Sequence, residues 1–198
     1  MTLVCAACLQ PMRHFGILGC RCFERGTLSL AGYSVWHFAL IGAMAASVIA
    51  ALLYAAADAQ SGAGARAGRA RTARLFFIGG LVLLAAATLA LMAAFLNHDF
   101  SLSYVYGYSS RSLSTGYLVS GVWAGQQGTY LFWAFLSAVI GVVLSATTCC
   151  KHSRLDEASV MKFYVLAHTL LLVLLLAASP FKKLSMVPAD GAGLNPLL

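Results

Sequence analysis

The chain has 198 residues, 61% of them hydrophobic and only 10% charged, with a mean hydropathy of +0.83. A soluble domain carries about 25% charged and about 45–50% apolar residues, so an ordinary water-soluble globule is excluded. Disorder is excluded too, since it needs low hydrophobicity. The formal net charge of +7 does not indicate a nucleic-acid partner. The Lys and Arg residues stand in short clusters between long apolar runs, the pattern of a multi-pass membrane protein.

Residues 1–31 differ from the rest. They hold Cys5, Cys8, Cys20 and Cys22, with Pro11 and His14 between them. Four thiols could bind zinc tetrahedrally, and these four are the candidate metal ligands. Structural zinc sites space their ligands as C-x2–4-C, however, whereas one residue separates Cys20 from Cys22. A redox Cys-x-x-Cys expects a βαβ context, which is missing. Three arginines and Glu24 interrupt any signal-peptide core. The composition favours a non-native extension.

From residue 32 onward the sequence predicts an all-α, multi-pass membrane protein. Four runs are long enough for a hydrocarbon core of about 30 Å, which takes roughly 20 residues. They cover about 35–57, 75–96, 130–148 and 160–178. The connector from Ser61 to Arg74 is small, arginine-bearing and without a buriable face, so it is expected to be a flexible, solvated cytoplasmic loop. No aromatic residue interleaves its arginines, which argues against base stacking. With this loop inside, the cytoplasmic side holds seven basic residues against Arg111, Lys182 and Lys183 outside, once the N-terminal segment is set aside.

His168 is the sharpest candidate for chemistry. An ionisable residue at bilayer depth is a functional hypothesis by default, and a neutral imidazole can ligate haem iron or relay a proton. The alternative is a hydrogen bond to a Ser or Thr of a neighbouring helix. His37 and His98 lie near span ends, poorly placed as second axial ligands. Asp156 and Glu157 are adjacent and expected in a loop with a solvated role. No nucleophile–base pair, carboxylate pair or phosphate loop is present.

The loop between the second and third runs is the most unusual stretch. Residues 99–113 read DFSLSYVYGYSSRSL, and 123–133 read WAGQQGTYLFW. The tyrosines suit an interfacial belt, and Gly121 and Gly125, at GxxxG spacing, suit close helix contact. A third stretch combines SPF at 179–181 with PADGAGLNPLL at 188–198. Taken in this order, the three stretches resemble the beginning of the CcmF/NrfE cytochrome c haem lyase family. The resemblance covers roughly residues 32–198. It departs at Gln127, where the family often has Glu, at Thr129 in place of Ser, and at Ser179 in place of Asn.

The resemblance implies the N-terminal transmembrane part of a bacterial inner-membrane haem lyase in cytochrome c maturation, which delivers haem to apocytochrome CXXCH thiols. It implies haem in the complete complex, with the remaining lyase half, a haem chaperone and apocytochrome c as partners, and no nucleic acid. Trp123, Gly125, Gly128, Asp190, Gly191, Asn195 and Pro196 are motif positions with structural roles. His168 matches no family haem ligand. The His-Pro-Pro helix, tryptophan-rich segment and haem-ligating histidines of the family do not occur in this chain, so no cofactor and no haem attachment are expected of it alone. A non-enzymatic membrane scaffold or small transporter subunit is the rival expectation. Broken helices would favour a transporter, and no span has an internal Gly-Pro interruption.

Overall fold

Lipid offers the backbone no hydrogen-bond partner, so apolar runs of this length close their bonds within helices. The computed structural model describes residues 33–149 and 156–193. Six helices follow one another: α1 (Val35–Asp58), α2 (Ala63–Leu96), α3 (Ser103–Tyr108), α4 (Thr115–Gly121), α5 (Gln126–Thr148) and α6 (Glu157–Ala177). Four of them, α1, α2, α5 and α6, are long and apolar enough to cross a membrane. The short α3 and α4 lie in the connection between the second and third of these.

The four long helices form a ring in which α1 packs on α2 and α6, and α5 packs on the same two. Their inward faces repeat every three or four residues. In α1 the buried positions are Leu40, Ala43, Ser47, Ala50, Tyr54 and Ala57, and in α6 they are Ala158, Met161, Val165, His168, Leu172 and Leu175. Small side chains on these seams let the backbones approach, as packing in lipid requires. The outward faces are apolar as well, with Leu52, Leu89 and Phe163 each more than 60% exposed. That surface suits hydrocarbon and would be costly in water.

One end of the bundle departs from the sequence expectation. The stretch 63–74, expected to be a flexible loop, is the first part of α2. At 1.5 Å per residue a 34-residue helix is about 51 Å long, well beyond a hydrocarbon core, so its first turns project past the membrane. Alanine at 63, 65, 67, 70 and 73 supplies helix propensity, and Ala70 and Ala73 are buried. Arg66 and Arg74 find carboxylates outside their own helix. Arg66 reaches Asp58 at 3.1 Å and Asp156 at 2.5 Å, and Arg74 donates twice to Glu157, at 3.0 and 2.6 Å. Lys162 pairs with Asp58, and the Tyr54 hydroxyl donates to Glu157.

Of the two acidic residues expected in a solvated loop, Asp156 stays exposed just before α6, whereas Glu157 opens the helix and is largely buried. Asp156 caps α6 by accepting the Ser159 N–H at 3.0 Å, and the Glu157 side chain is 11% exposed. Half of the chain's six acidic residues therefore gather at this end and tie α1, α2 and α6 together.

Breaking a largely buried pair leaves an uncompensated charge, which is worth more than a surface pair. Glu157→Gln is expected to destabilise the detergent-solubilised protein by about 2 kcal/mol. Arg74→Ala added to it should cost little more. A thermal-unfolding double-mutant cycle on Arg74 and Glu157 checks this, and additive effects would refute the pairing.

Candidate functional site

The opposite end of the bundle collects the unusual stretches of the sequence. After α2, the chain turns through His98, which adopts a φ of 51°, and enters α3. Tyr104, in the first turn of α3, is 4% exposed. Its hydroxyl accepts the Gly125 N–H at 3.0 Å and donates to the Val122 carbonyl at 3.1 Å. Its ring lies edge-on to Phe95, with centroids 5.6 Å apart. Burial pushes the Tyr104 hydroxyl up to about 12, so it stays a neutral donor–acceptor across the physiological range. One side chain of α3 thus fixes the turn that carries the chain from α4 into α5.

That turn is built for close approach. A Cβ at Gly128 would run into the Val122 carbonyl and the Tyr104 hydroxyl, and one at Gly125 would meet the Tyr108 ring. Thr129 closes the turn by donating from Oγ1 within 2.9 Å of both the Trp123 and Gly125 carbonyls. The Trp123 ring itself is 44% exposed and packs 5.7 Å from Phe132.

The segment after α6 folds back over this end. Ser103 donates its N–H to the Lys182 carbonyl and Leu184 donates to Ser101, both at 2.9 Å. Phe181 is fully buried beneath, and its carbonyl accepts the Ser34 N–H. Ser179 Oγ lies 2.9 Å from His37 Nδ1, which fastens the segment to α1. Further along, Asp190 Oδ1 accepts the N–H groups of Arg111 at 2.9 Å and Gly191 at 2.7 Å. The Arg111 N–H foremost, then that of Gly191, holds the Asp190 carboxyl below the usual carboxylate range. A Cβ at Gly191 would fall on the Ser109 carbonyl oxygen. Ala192 donates to Tyr106 at 2.8 Å and Gly193 to Ser109 at 3.0 Å.

The three stretches are therefore one structure, a cap in which 99–113, 122–129 and 179–193 hold one another by backbone and side-chain hydrogen bonds. Beneath it a cavity of about 240 Å³ is lined by Ser103, Tyr108, Gln127 and Lys182, among others.

His168 is elsewhere, on the inward face of α6 and 4% exposed. Its Nδ1 lies 3.1 Å from Ser137 Oγ of α5, and its ring is edge-on to Phe77 of α2 at 5.4 Å. Ser137 and Phe77 thus bring α5 and α2 against the imidazole. Among the described residues, no group of three or more His, Cys, Asp or Glu side chains gathers to hold a metal. Cys5, Cys8, Cys20 and Cys22 lie outside the described residues, as do Asn195 and Pro196.

No protein-family model matches the chain. A cytochrome c-type biogenesis protein, ccl1 of Rhodobacter capsulatus, is 32% identical over 162 residues, covering 82% of this chain and 24% of its own length. CcmF of Pseudomonas aeruginosa is 34% identical over 110 residues, 53% of this chain and 16% of its own. A solved structure of the cytochrome c haem lyase CcmF superposes with a TM-score of 0.62 at 25% identity, over 76% of this chain and 24% of that one. The relatives of this chain are the CcmF-type cytochrome c biogenesis proteins. The chain spans about a quarter of the length of ccl1 and of the solved CcmF chain. The family resemblance read from the three stretches agrees with these similarities, and so does the helical, four-span fold.

Within the cap, Gly125, Gly128, Asp190 and Gly191 each stand at a close contact or a hydrogen bond, and Trp123 is half-exposed. Tyr104 was not singled out by sequence reasoning, which takes the tyrosines together as an interfacial belt. The available signal is spacing: Tyr104 and Tyr108 are one helical turn apart, with ring centroids 4.9 Å apart at a tilt of 44°, whereas Tyr117 is 60% exposed.

Tyr104→Phe removes a buried hydroxyl that satisfies two backbone groups, and is expected to destabilise the cap by about 1–3 kcal/mol. Gly128→Ala overpacks the same contact and is expected to cost at least as much. Thermal unfolding of both variants checks the order. The Asp190 carboxylate adds stability that is fully present above the ordinary carboxyl pKa of about 3.9 and is lost as pH falls through its lower folded value. Acid titration of the Arg111 amide by NMR should show this loss, and Asp190→Asn should abolish it.

Proposed function

We propose that the chain works in cytochrome c maturation as part of a membrane haem lyase of the CcmF type, with the cap on the outer side of a bacterial inner membrane. The observation that carries this reading is the convergence of the three family-like stretches on one end of the bundle. The charge distribution supports the orientation. The far end carries Arg66, Arg69, Arg71, Arg74 and Lys162, and the cap carries Arg111, Lys182 and Lys183, so the richer end belongs to the cytoplasm.

In this reading the chain is scaffold rather than haem site. Haem belongs to the complete complex, where it is delivered to apocytochrome CXXCH thiols, and the cap is the face that meets the rest of the lyase, the haem chaperone or the apocytochrome. The packed surroundings of His168 support that division. The bundle supplies rigid helix ends, and the cap supplies a surface fixed by hydrogen bonds instead of a mobile loop.

The chain is to be co-expressed with the remaining lyase segment and a CXXCH apocytochrome, and covalent haem measured by peroxidase stain. Haem attachment should require both parts, and attachment without this chain, or none with both, would sink the proposal. Separately, a cysteine at Arg69 should react with an impermeant thiol reagent only in inverted vesicles, and one at Ser112 only in intact spheroplasts. The reverse pattern would overturn the orientation.

A further inference from the structure

A second cavity, of about 420 Å³, opens between the start of α1 and the end of α2. Its two halves differ in chemistry. The part beside the membrane spans is walled by Trp36, Ala93 and Ala94, and the part beyond the end of α2 by Asn97, Asp99 and Lys183. Trp36 is 39% exposed, in the first turn of α1, where an indole suits the boundary between hydrocarbon and headgroups. The small alanines make a shallow groove along α2.

The polar half holds two opposite charges that do not meet. The ion pairs among the described residues are those of the other bundle end, and neither Asp99 nor Lys183 takes part in them. Asp99 accepts only the Ser101 N–H at 3.1 Å through Oδ1, which leaves the carboxylate with further acceptor capacity. The first turn of α1 is also uncapped: Ser34 makes no side-chain cap bond, and its buried hydroxyl has no partner. The Ser34 and His37 N–H groups are taken by the Phe181 and Ser34 carbonyls, and those of Val35 and Trp36, which have no partner within the helix, favour an anion.

We propose that this cavity is a binding site for the headgroup of a zwitterionic phospholipid with a primary ammonium. The phosphate lies toward Lys183 and the first turn of α1, the ammonium on Asp99, and an acyl chain runs down the groove past Trp36, Ala93 and Ala94. Charge complementarity selects this class. An anionic headgroup leaves Asp99 uncompensated. A choline headgroup carries the same charges as the proposed ligand but has no N–H to donate to the carboxylate.

The test places the full chain, with Trp123→Phe and Trp133→Phe so that Trp36 is the sole tryptophan, in nanodiscs of matched acyl composition. Quenching of Trp36 is read with chain-brominated phosphatidylethanolamine, phosphatidylcholine or phosphatidylglycerol. The ethanolamine lipid should be preferred about fivefold, equivalent to about 1 kcal/mol at 1.4 kcal/mol per tenfold. Asp99→Asn should erase the preference over choline, and Lys183→Ala should weaken binding of both. Native mass spectrometry of the unmodified chain should show the same ranking of retained lipid. Equal quenching by all three lipids, or a preference for the glycerol lipid, overturns the proposal. Displacement by soluble phosphoethanolamine at millimolar concentration would also overturn it, by assigning the site to a free headgroup.

Discussion

The chain must leave helix between α2 and α5, close to hydrocarbon, and every backbone group freed there needs a partner. The Tyr104 hydroxyl meets that constraint at the tightest point. Placed by α3 into the turn between α4 and α5, it takes up the Gly125 N–H and offers its proton to the Val122 carbonyl. Gly128 lacks a side chain because the Val122 carbonyl and this hydroxyl occupy the space. Once the turn is fixed, α3 presents the Tyr106 and Ser109 carbonyls to the returning segment, which binds them through Ala192 and Gly193. The cap then follows from one buried hydroxyl and the residues small enough to crowd around it.

The two ends of the bundle use different physics for the same task. At the cap, neutral hydrogen bonds hold irregular backbone, and the two carboxylates involved, Asp99 and Asp190, accept from backbone amides. At the other end, ion pairs hold regular helices together, with Arg66, Arg74 and Lys162 each reaching a carboxylate of another helix. Between them lies an interior of small and apolar side chains, with polar contacts at Ser47–Thr169 and at Ser137, which meets both His168 and Tyr164. Charge is kept out of the interior, and the segments that need irregular geometry are kept to one end.

Much of the fold was legible in the sequence because hydrophobic length is a strong signal: apolar runs near 20 residues permit little except a spanning helix. The motif stretches were legible as a set: a Cβ at Gly128 or Gly191 would meet backbone oxygen, and Asp190 accepts two backbone amides. What escaped was pairing at a distance. Arg66 and Arg74 read as loop residues because their carboxylate partners lie more than 80 positions away or in another helix, and alanine-rich stretches give no amphipathic pattern to announce a helix. Tyr104 escaped for a related reason: four tyrosines in one loop look alike until the fold decides which one is buried. His168 shows the helix-to-helix hydrogen bond that its depth also allowed, made to Ser137 of α5.

Three separated stretches form one cooperative cap around Tyr104. Hydrogen exchange read by mass spectrometry on the full chain in nanodiscs checks this, comparing the unaltered protein with Tyr104→Phe. Amides of 104–109, 122–129 and 188–193 should lose protection together, while those at the ion-paired end are unchanged. Faster exchange confined to the residues around 104, with the returning segment still protected, would contradict it.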